Sequence, residues 1–317
     1  MNSTPVSIVH GHTLNELSDL IGEVCTDVEG LCFSSILAGG WSNINLLGET
    51  ELGKYIIKVP PLINHYETNP YRYRFRISKS LFKHQICPEP IAVGRLTDTA
   101  KTPFMVSEFV SGTSPSNAGT MTEKEIKSIL IALNKLAEIK PSGIKRFATA
   151  SQYVHHLSSP ISIDYEPSEF VRDIAKEFLT INERLLEHAD SLEWAQKTMH
   201  GDLHEPNIIF QTDNVILLDF EACCMGTPSF DIAYLFTQSQ ISKTPEYPEC
   251  IVADYVNKTK LAEMEPIALF SAIAWTLERF INLEKKIVEP NLSGIELKQA
   301  HSLYLQTKIP LLKKMLE

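Results

Sequence analysis

Six cysteines in 317 residues, scattered apart from the Cys223–Cys224 pair and with no C-x-x-C spacing, are too few and too irregular for a disulfide framework or a zinc site. Long apolar runs are missing as well. No stretch approaches the ~20 residues that span a bilayer, and the opening MNSTPVSIVH lacks the basic flank and apolar core of a secretory leader. Positive charge is in deficit: 29 Lys and Arg against 39 Asp and Glu leave a formal net charge of −10, where a nucleic-acid-binding surface carries a basic surplus. No internal repeat or low-complexity block stands out. What remains, 44% hydrophobic and 21% charged residues, is ordinary globular composition. A soluble cytoplasmic protein with reduced thiols is expected, with no membrane and no nucleic-acid partner.

The periodicity changes along the chain. Residues 31–59 read as short β-rich segments broken by Gly39-Gly40 and by Gly48 and Gly53. A helix is expected from Tyr71 to His84, then two β-like runs, Pro90–Leu96 and Phe104–Val110. From Thr122, which with Glu125 spells a capping box, the pattern is mainly helical. Helices are expected at Pro167–Trp194, Pro228–Gln238, Pro248–Lys258, Pro266–Lys286 and Ile295–Met315. One β island, NIIF then VILLDF, interrupts them as a hairpin. The predicted fold class is therefore α+β and bilobal: a small antiparallel β-sheet N-lobe over residues 1–108 and a larger helical C-lobe over residues 109–317. Charge follows the division. Residues 53–83 hold seven Lys and Arg against one acid, and residues 164–193 hold nine acids against three bases. Such runs are either solvated helix faces or the basic and acidic sides of a cleft for phosphate and a cation.

The chemistry concentrates in His200-Gly-Asp202-Leu-His-Glu-Pro-Asn207, followed by Asp219-Phe-Glu221. A hairpin of this length returns its far end beside its start, so Asp202, Asn207 and Asp219 can converge. Hard oxygen ligands at one point suit Mg²⁺, which keeps phosphates and waters in its other positions. A remaining carboxylate can accept a hydroxyl proton. This is the layout of kinase-like phosphoryl transfer.

HGDLHEPNIIF, with VILLDFEACCMGTPSFDIAYLF after it, resembles the aminoglycoside phosphotransferase and choline kinase family, through Gly226, Pro228, Asp231, Ile232 and Ala233. Protein kinases carry Arg after the catalytic His and Gly after D-F, so Gly201 and Glu221 point to the small-molecule branch. The resemblance implies a protein-kinase-like fold and an enzyme that uses ATP and Mg²⁺ to phosphorylate a hydroxyl of a small molecule, for instance a cationic amino alcohol or an aminoglycoside. It implies Asp202 as catalytic base, Asn207 and Asp219 as metal ligands, and His200 and Asp231 as braces of the loop. Gly39-Gly-Trp-Ser-Asn43 resembles the nucleotide loop, with Gly39, Gly40, Ser42 and Asn43 as phosphate contacts. Lys58 in KYIIKVP takes the place of the phosphate-pairing lysine in preference to Lys54. The backbone of Glu108 and Val110 would hold adenine.

One feature departs from the pattern. The helix after Lys58 should offer a Glu partner, yet residues 71–77 read YRYRFRI. Glu67 is the nearest acid, and Arg72, Arg74 and Arg76 become candidates for contacting phosphate. Two other signals are decoys. Gly48–Tyr55 nearly spells a P-loop, but a strand rather than a helix follows it. His200 and His204 lack the helix a zinc pair needs. Cys223, Cys224, Trp275 and Phe280 are expected in the core. A nucleotide-binding pseudokinase acting as an interaction module is the alternative function, and a protein kinase is a further one.

Overall fold

The computed structural model describes residues 8–37, 43–61, 68–115, 121–161, 165–212, 214–238, 258–286 and 294–317. The N-terminal part opens with a two-stranded ribbon, β1 (Ile8–Val9) and β2 (His12–Thr13), and helix α1 (Leu14–Val24). Thr13 and Glu16 close a capping box at its start, satisfying two backbone donors of the first turn. Five antiparallel strands follow: β3 (Cys32–Leu37), β4 (Ile44–Thr50), β5 (Gly53–Val59), β6 (Pro90–Arg95) and β7 (Pro103–Glu108), in the spatial order β3-β4-β5-β7-β6. The near-P-loop Gly48–Tyr55 is the turn end of the β4–β5 hairpin, with Gly48 opposite Tyr55. A Cβ on Gly48 would lie 2.6 Å from Leu31 Cδ1, so a larger residue there would push the Leu31 side chain aside. In β5 the side chains alternate: Ile57 and Val59 enter the core with Leu17, Ile21, Leu46 and Phe104, and Lys58 faces the other way.

Helix α2 (Tyr71–Phe82) sits between the sheet and the helical part. Its buried residues Tyr71, Arg74, Ile77, Ser78 and Leu81 follow the three-and-four spacing of one helix face. Ile77 and Leu81 pack into the same cluster as Ile129, Leu133 and Leu136 of α3 (Glu123–Glu138). Tyr73 extends the bond: its hydroxyl donates to the Cys223 carbonyl at 2.5 Å and accepts from the Lys145 N–H at 3.1 Å. The Arg76 guanidinium donates to the Gly143 carbonyl at 3.0 Å. Thus α2 is fixed to the helical part although it follows β5 in the chain.

The larger core is built from α4 (Ala150–Ser158), α5 (Glu169–Asp190), α6 (Pro228–Gln238), α7 (Lys258–Glu284) and α8 (Gly294–Met315). Helix α7 begins at Lys258, ahead of the expected start, with Pro266 inside it. The cost is one ladder bond to the Ala262 carbonyl, offset by packing of Leu261, Met264 and Ile267. The Pro248 end of the expected Pro248–Lys258 helix lies outside the described residues. Phe280 is in the core, but Trp275 is 37% exposed and meets the His301 ring edge-on at 6.0 Å. The acids Glu169, Asp173, Glu183 and Glu187 lie on the exposed side of α5, so that run is a solvated face. Cys223 and Cys224 are buried and unbridged. Among the described residues, no helix is long and apolar enough to cross a membrane.

Two small sheets complete the architecture. The expected hairpin forms as β10 (Ile208–Phe210) against β11 (Val215–Leu217), with Ile208 opposite Leu217. The second sheet was not legible in the periodicity: β12 (Cys224–Gly226) lies between β8 (Lys145–Arg146) and β9 (Lys197–Met199). Strands of two or three residues are too short to show alternation. Their pairing sets Cys224 opposite Met199, which brings the chain after Asp219 back beside His200.

Candidate active site

The His200–Asn207 loop is held from below. Both oxygens of Asp231, in the first turn of α6, accept backbone N–H groups: His200 N–H at 2.7 Å and Gly201 N–H at 2.8 Å. Burial pushes the Asp231 pKa up to about 7 against the pull of those donors. Gly201 is left-handed at φ +82°, and a Cβ there would stand 2.4 Å from the Ala222 carbonyl oxygen. That close approach explains why glycine follows His200. The His200 ring is fully buried, and burial lowers its pKa to about 4. Its Nδ1 accepts the Asp202 N–H at 3.3 Å, so Nε2 carries the proton and donates to the Leu218 carbonyl at 2.7 Å. Both ring nitrogens are thus engaged, which leaves no zinc pair with His204.

Asp202 sits on top of this frame, half-buried. The Asn207 amide donates to its carbonyl at 3.0 Å and to its Oδ2 at 3.3 Å, and the Tyr234 hydroxyl also hydrogen-bonds the carboxylate. Burial, reinforced by Glu221 and Asp219, pushes the Asp202 pKa up to about 8. Across the hairpin, the Leu218 N–H donates to the Asn207 carbonyl at 2.8 Å, which fixes Asn207 and Asp219 as near neighbours. Asp219 has a left-handed backbone, φ +62°, a conformation Asp tolerates better than most residues.

Asp219 is where the two halves of the chain meet. Lys58 Nζ stands 3.0 Å from its Oδ2, and Arg74 NH1 2.9 Å from its Oδ1. The second Arg74 nitrogen pairs with Glu221. Burial alone would raise the Asp219 pKa, but Arg74 and Lys58 outweigh it and hold the carboxyl well below the usual range. Burial lowers the Lys58 pKa more than Asp219 raises it. For Arg74, burial opposes the charge, yet Asp219 and Glu221 outweigh it and keep the guanidinium pKa above its ordinary value. Lys54, by contrast, is exposed and pairs with Glu49 at 2.9 Å.

The donor set can be tested against a divalent cation on this chain's own atoms. Asp219 Oδ1 is buried and accepts no hydrogen bond, since the Arg74 contact is an ion pair without hydrogen-bond alignment. Asn207 spends its NH₂ on Asp202, which leaves its amide oxygen as an acceptor. The Asp219 carboxylate and the Asn207 amide oxygen are hard ligands that fit Mg²⁺, which takes phosphate oxygens and waters in its other positions. Among the described residues, no three His, Cys, Asp or Glu converge as a metal cluster.

The remaining expected residues fall as follows. Gly39, Gly40, Ser42 and the acid Glu67 lie outside the described residues. Asn43 is buried, and its Oδ1 accepts the Tyr71 hydroxyl at 2.8 Å, which ties the start of β4 to α2. The Glu108 N–H is taken by the Glu89 carbonyl at 2.9 Å. Just beyond Val110, Thr113 pairs with Phe210, and the Ser114 hydroxyl donates to the Glu205 carbonyl at 2.9 Å. The segment after β7 is thereby attached to the loop that carries Asp202. Arg72 and Arg76 are exposed, and Arg74 is buried at 5% exposure. Its position was readable: it falls in the same helical stripe as Tyr71, Ile77 and Leu81. Its partners, and those of Tyr73 and Tyr234, carried no sequence signal.

Comparison with known proteins identifies the family. Residues 35–267 match the family model described as the phosphotransferase enzyme family. No curated protein sequence matches the chain. In structure it is similar to choline kinase LicA from Streptococcus pneumoniae, with TM-score 0.58 and 16% identity over 92% of this chain and 98% of that one. It is similar to a choline/ethanolamine kinase family protein from Mesorhizobium loti, with TM-score 0.59 and 17% identity over 90% of each chain. Spectinomycin phosphotransferase APH(9)-Ia, solved with ADP and spectinomycin, gives TM-score 0.56 and 12% identity over 93% of this chain and 98% of that one. A family match over most of the chain, on a kinase-like fold shared along nearly its whole length, makes this protein a member of the phosphotransferase enzyme family, as its likeness to aminoglycoside phosphotransferases and choline kinases implied.

Proposed function

We propose that this protein is a small-molecule kinase that moves the γ-phosphoryl group of ATP to an alcohol. The observation that carries the reading is the Lys58–Asp219 contact at 3.0 Å, which sets a sheet lysine against the carboxylate that follows the Asp202 loop. Asn207 and Asp219 are the residues that would hold Mg²⁺, and when bound the ion neutralises charge on the transferring phosphoryl. Lys58 pairs with the α- and β-phosphates. The Glu108 carbonyl and the Val110 N–H receive the adenine edge.

Asp202 orients the acceptor hydroxyl and takes its proton as the new P–O bond forms and the bond to the β-phosphate oxygen breaks, giving ADP. A base with its pKa near the working pH is matched to this task. Positioning does most of the rest: Asp231 and His200 hold the loop so that Asp202 needs no rearrangement. The acceptor is a hydroxyl-bearing small molecule, with amino alcohols and aminoglycosides the first to try. The acidic α5 face adds nothing in favour of a cation, because it points to solvent.

A nucleotide-binding module without turnover is the second reading, favoured by Arg74 standing on Asp219. ADP release from ATP and Mg²⁺ across amino alcohols, aminoglycosides, sugars, homoserine and thiamine decides between them. Turnover with one class, lost in Asp202→Asn, supports the kinase. Nucleotide binding with no turnover on any acceptor supports the module.

A further inference from the structure

Arg74 occupies the metal-facing side of the site. It is a core position of α2, packed over the Tyr71 ring with its guanidinium carbon 5.3 Å from the centroid, and Tyr71 in turn donates to Asn43. From there its fork reaches two carboxylates, Asp219 at 2.9 Å and Glu221, while Lys58 takes the other oxygen of Asp219. A divalent cation held by Asp219 would therefore arrive beside two positive charges, the buried Arg74 and the half-buried Lys58. Like charges in a site partly shielded from water repel, so the ion by itself is disfavoured. A polyphosphate reverses the balance, because it brings anionic oxygens to which Lys58 and Arg74 can turn.

We propose that Arg74 is a positioning residue that guards the metal site: it holds Asp219 and Glu221 in the nucleotide-free protein and yields Asp219 only when nucleotide phosphates arrive. The proposal rests on the kinase reading above and adds a property to it, namely that metal and nucleotide bind cooperatively and that neither order of addition gives tight metal binding alone. The coupling is reciprocal by linkage.

The test is Mn²⁺ binding to the full-length chain, followed by the EPR signal of free Mn²⁺, with and without a non-hydrolysable ATP analogue. Wild type should bind Mn²⁺ at least about 10-fold more tightly with the analogue present. Arg74→Met keeps the stem and removes the charge, and should tighten analogue-free Mn²⁺ binding about 10-fold and so shrink the coupling. Arg74→Lys should restore part of it. Unchanged or weaker analogue-free Mn²⁺ binding in a folded Arg74→Met overturns the proposal and leaves the kinase reading standing. Should Arg74→Met not fold, Glu221→Gln gives the opposite sign: Arg74 then serves Asp219 alone, and analogue-free Mn²⁺ binding should weaken. Tightening in Glu221→Gln overturns the proposal equally. Wild type that binds no Mn²⁺ even with the analogue removes the metal-dependent reading, and the proposal falls with it.

Discussion

The backbone N–H of His200 and the carboxylate of Asp231 meet at 2.7 Å, joining the start of the Asp202 loop to the first turn of α6. Because the second Asp231 oxygen accepts the Gly201 N–H, one side chain satisfies two consecutive buried donors. Asp231→Ala strands both. At about 1–3 kcal/mol for each unsatisfied buried group, the variant should lose roughly 2–6 kcal/mol. Urea unfolding of the two proteins reads the difference, and a loss below 1 kcal/mol would show that the loop finds other partners.

Asp202→Asn keeps the shape of the site and removes the proton acceptor. Turnover should fall about 10²- to 10⁴-fold, the range that general-base catalysis contributes. Nucleotide affinity, measured by titration without acceptor, should stay within a factor of about 3, as uniform binding does not depend on this group. A parallel loss of nucleotide binding would mean that Asp202 serves the nucleotide and not the acceptor.

Tyr73 is the polar bolt between α2 and the β8–β12 strands, with hydrogen bonds to the Cys223 carbonyl and the Lys145 N–H. Tyr73→Phe strands the buried Cys223 carbonyl, whereas the N–H of the exposed Lys145 can turn to water, and should cost about 1–3 kcal/mol. Because α2 carries Arg74 into the site, the KM for ATP should rise with it. Lost stability with an unchanged KM would separate the bolt from the site.

His301 supplies a pH signature remote from the phosphate site. Burial, with Arg279 adding to it, lowers its pKa to about 4, against ~6.5 in the unfolded chain. A folded state that refuses the proton is favoured above pH ~6.5 and loses that advantage as pH falls toward about 4. Between pH 7 and 5 wild type should therefore lose on the order of 1–2 kcal/mol more than His301→Gln. Denaturant midpoints at the two pH values check this, and parallel slopes would exclude it.

Much of the design was legible in the sequence because its signals are local. The D-F-E stretch and the H-G-D-x-H-x-x-N loop bracket a hairpin, and a hairpin can be read from two apolar runs and a polar turn. Lys58 could be preferred over Lys54 because I-I-K-V matches the V-A-I-K pattern around the phosphate-pairing lysine, while alternation alone sets both lysines on the face opposite Ile57 and Val59. The Thr122 and Glu125 capping box marked the start of α3 for the same reason.

What tertiary structure alone decided is who meets whom across the chain. Periodicity places Arg74 on the inner face of α2 but says nothing about what lies opposite. The Asp219 and Glu221 carboxylates come there only because β12 pairs with β9 and Tyr73 fixes α2 to that sheet. The sequence lacks the expected helix glutamate, and chain order left Lys58 without a partner in α2. Folding sets the half-buried Asp219 against the half-buried Lys58, so that each charge has its counter-charge. Acidic residues on α5 show the reverse case: their number suggested a cation site, and the helix turned them to water because its other face holds Val171, Phe178 and Leu185.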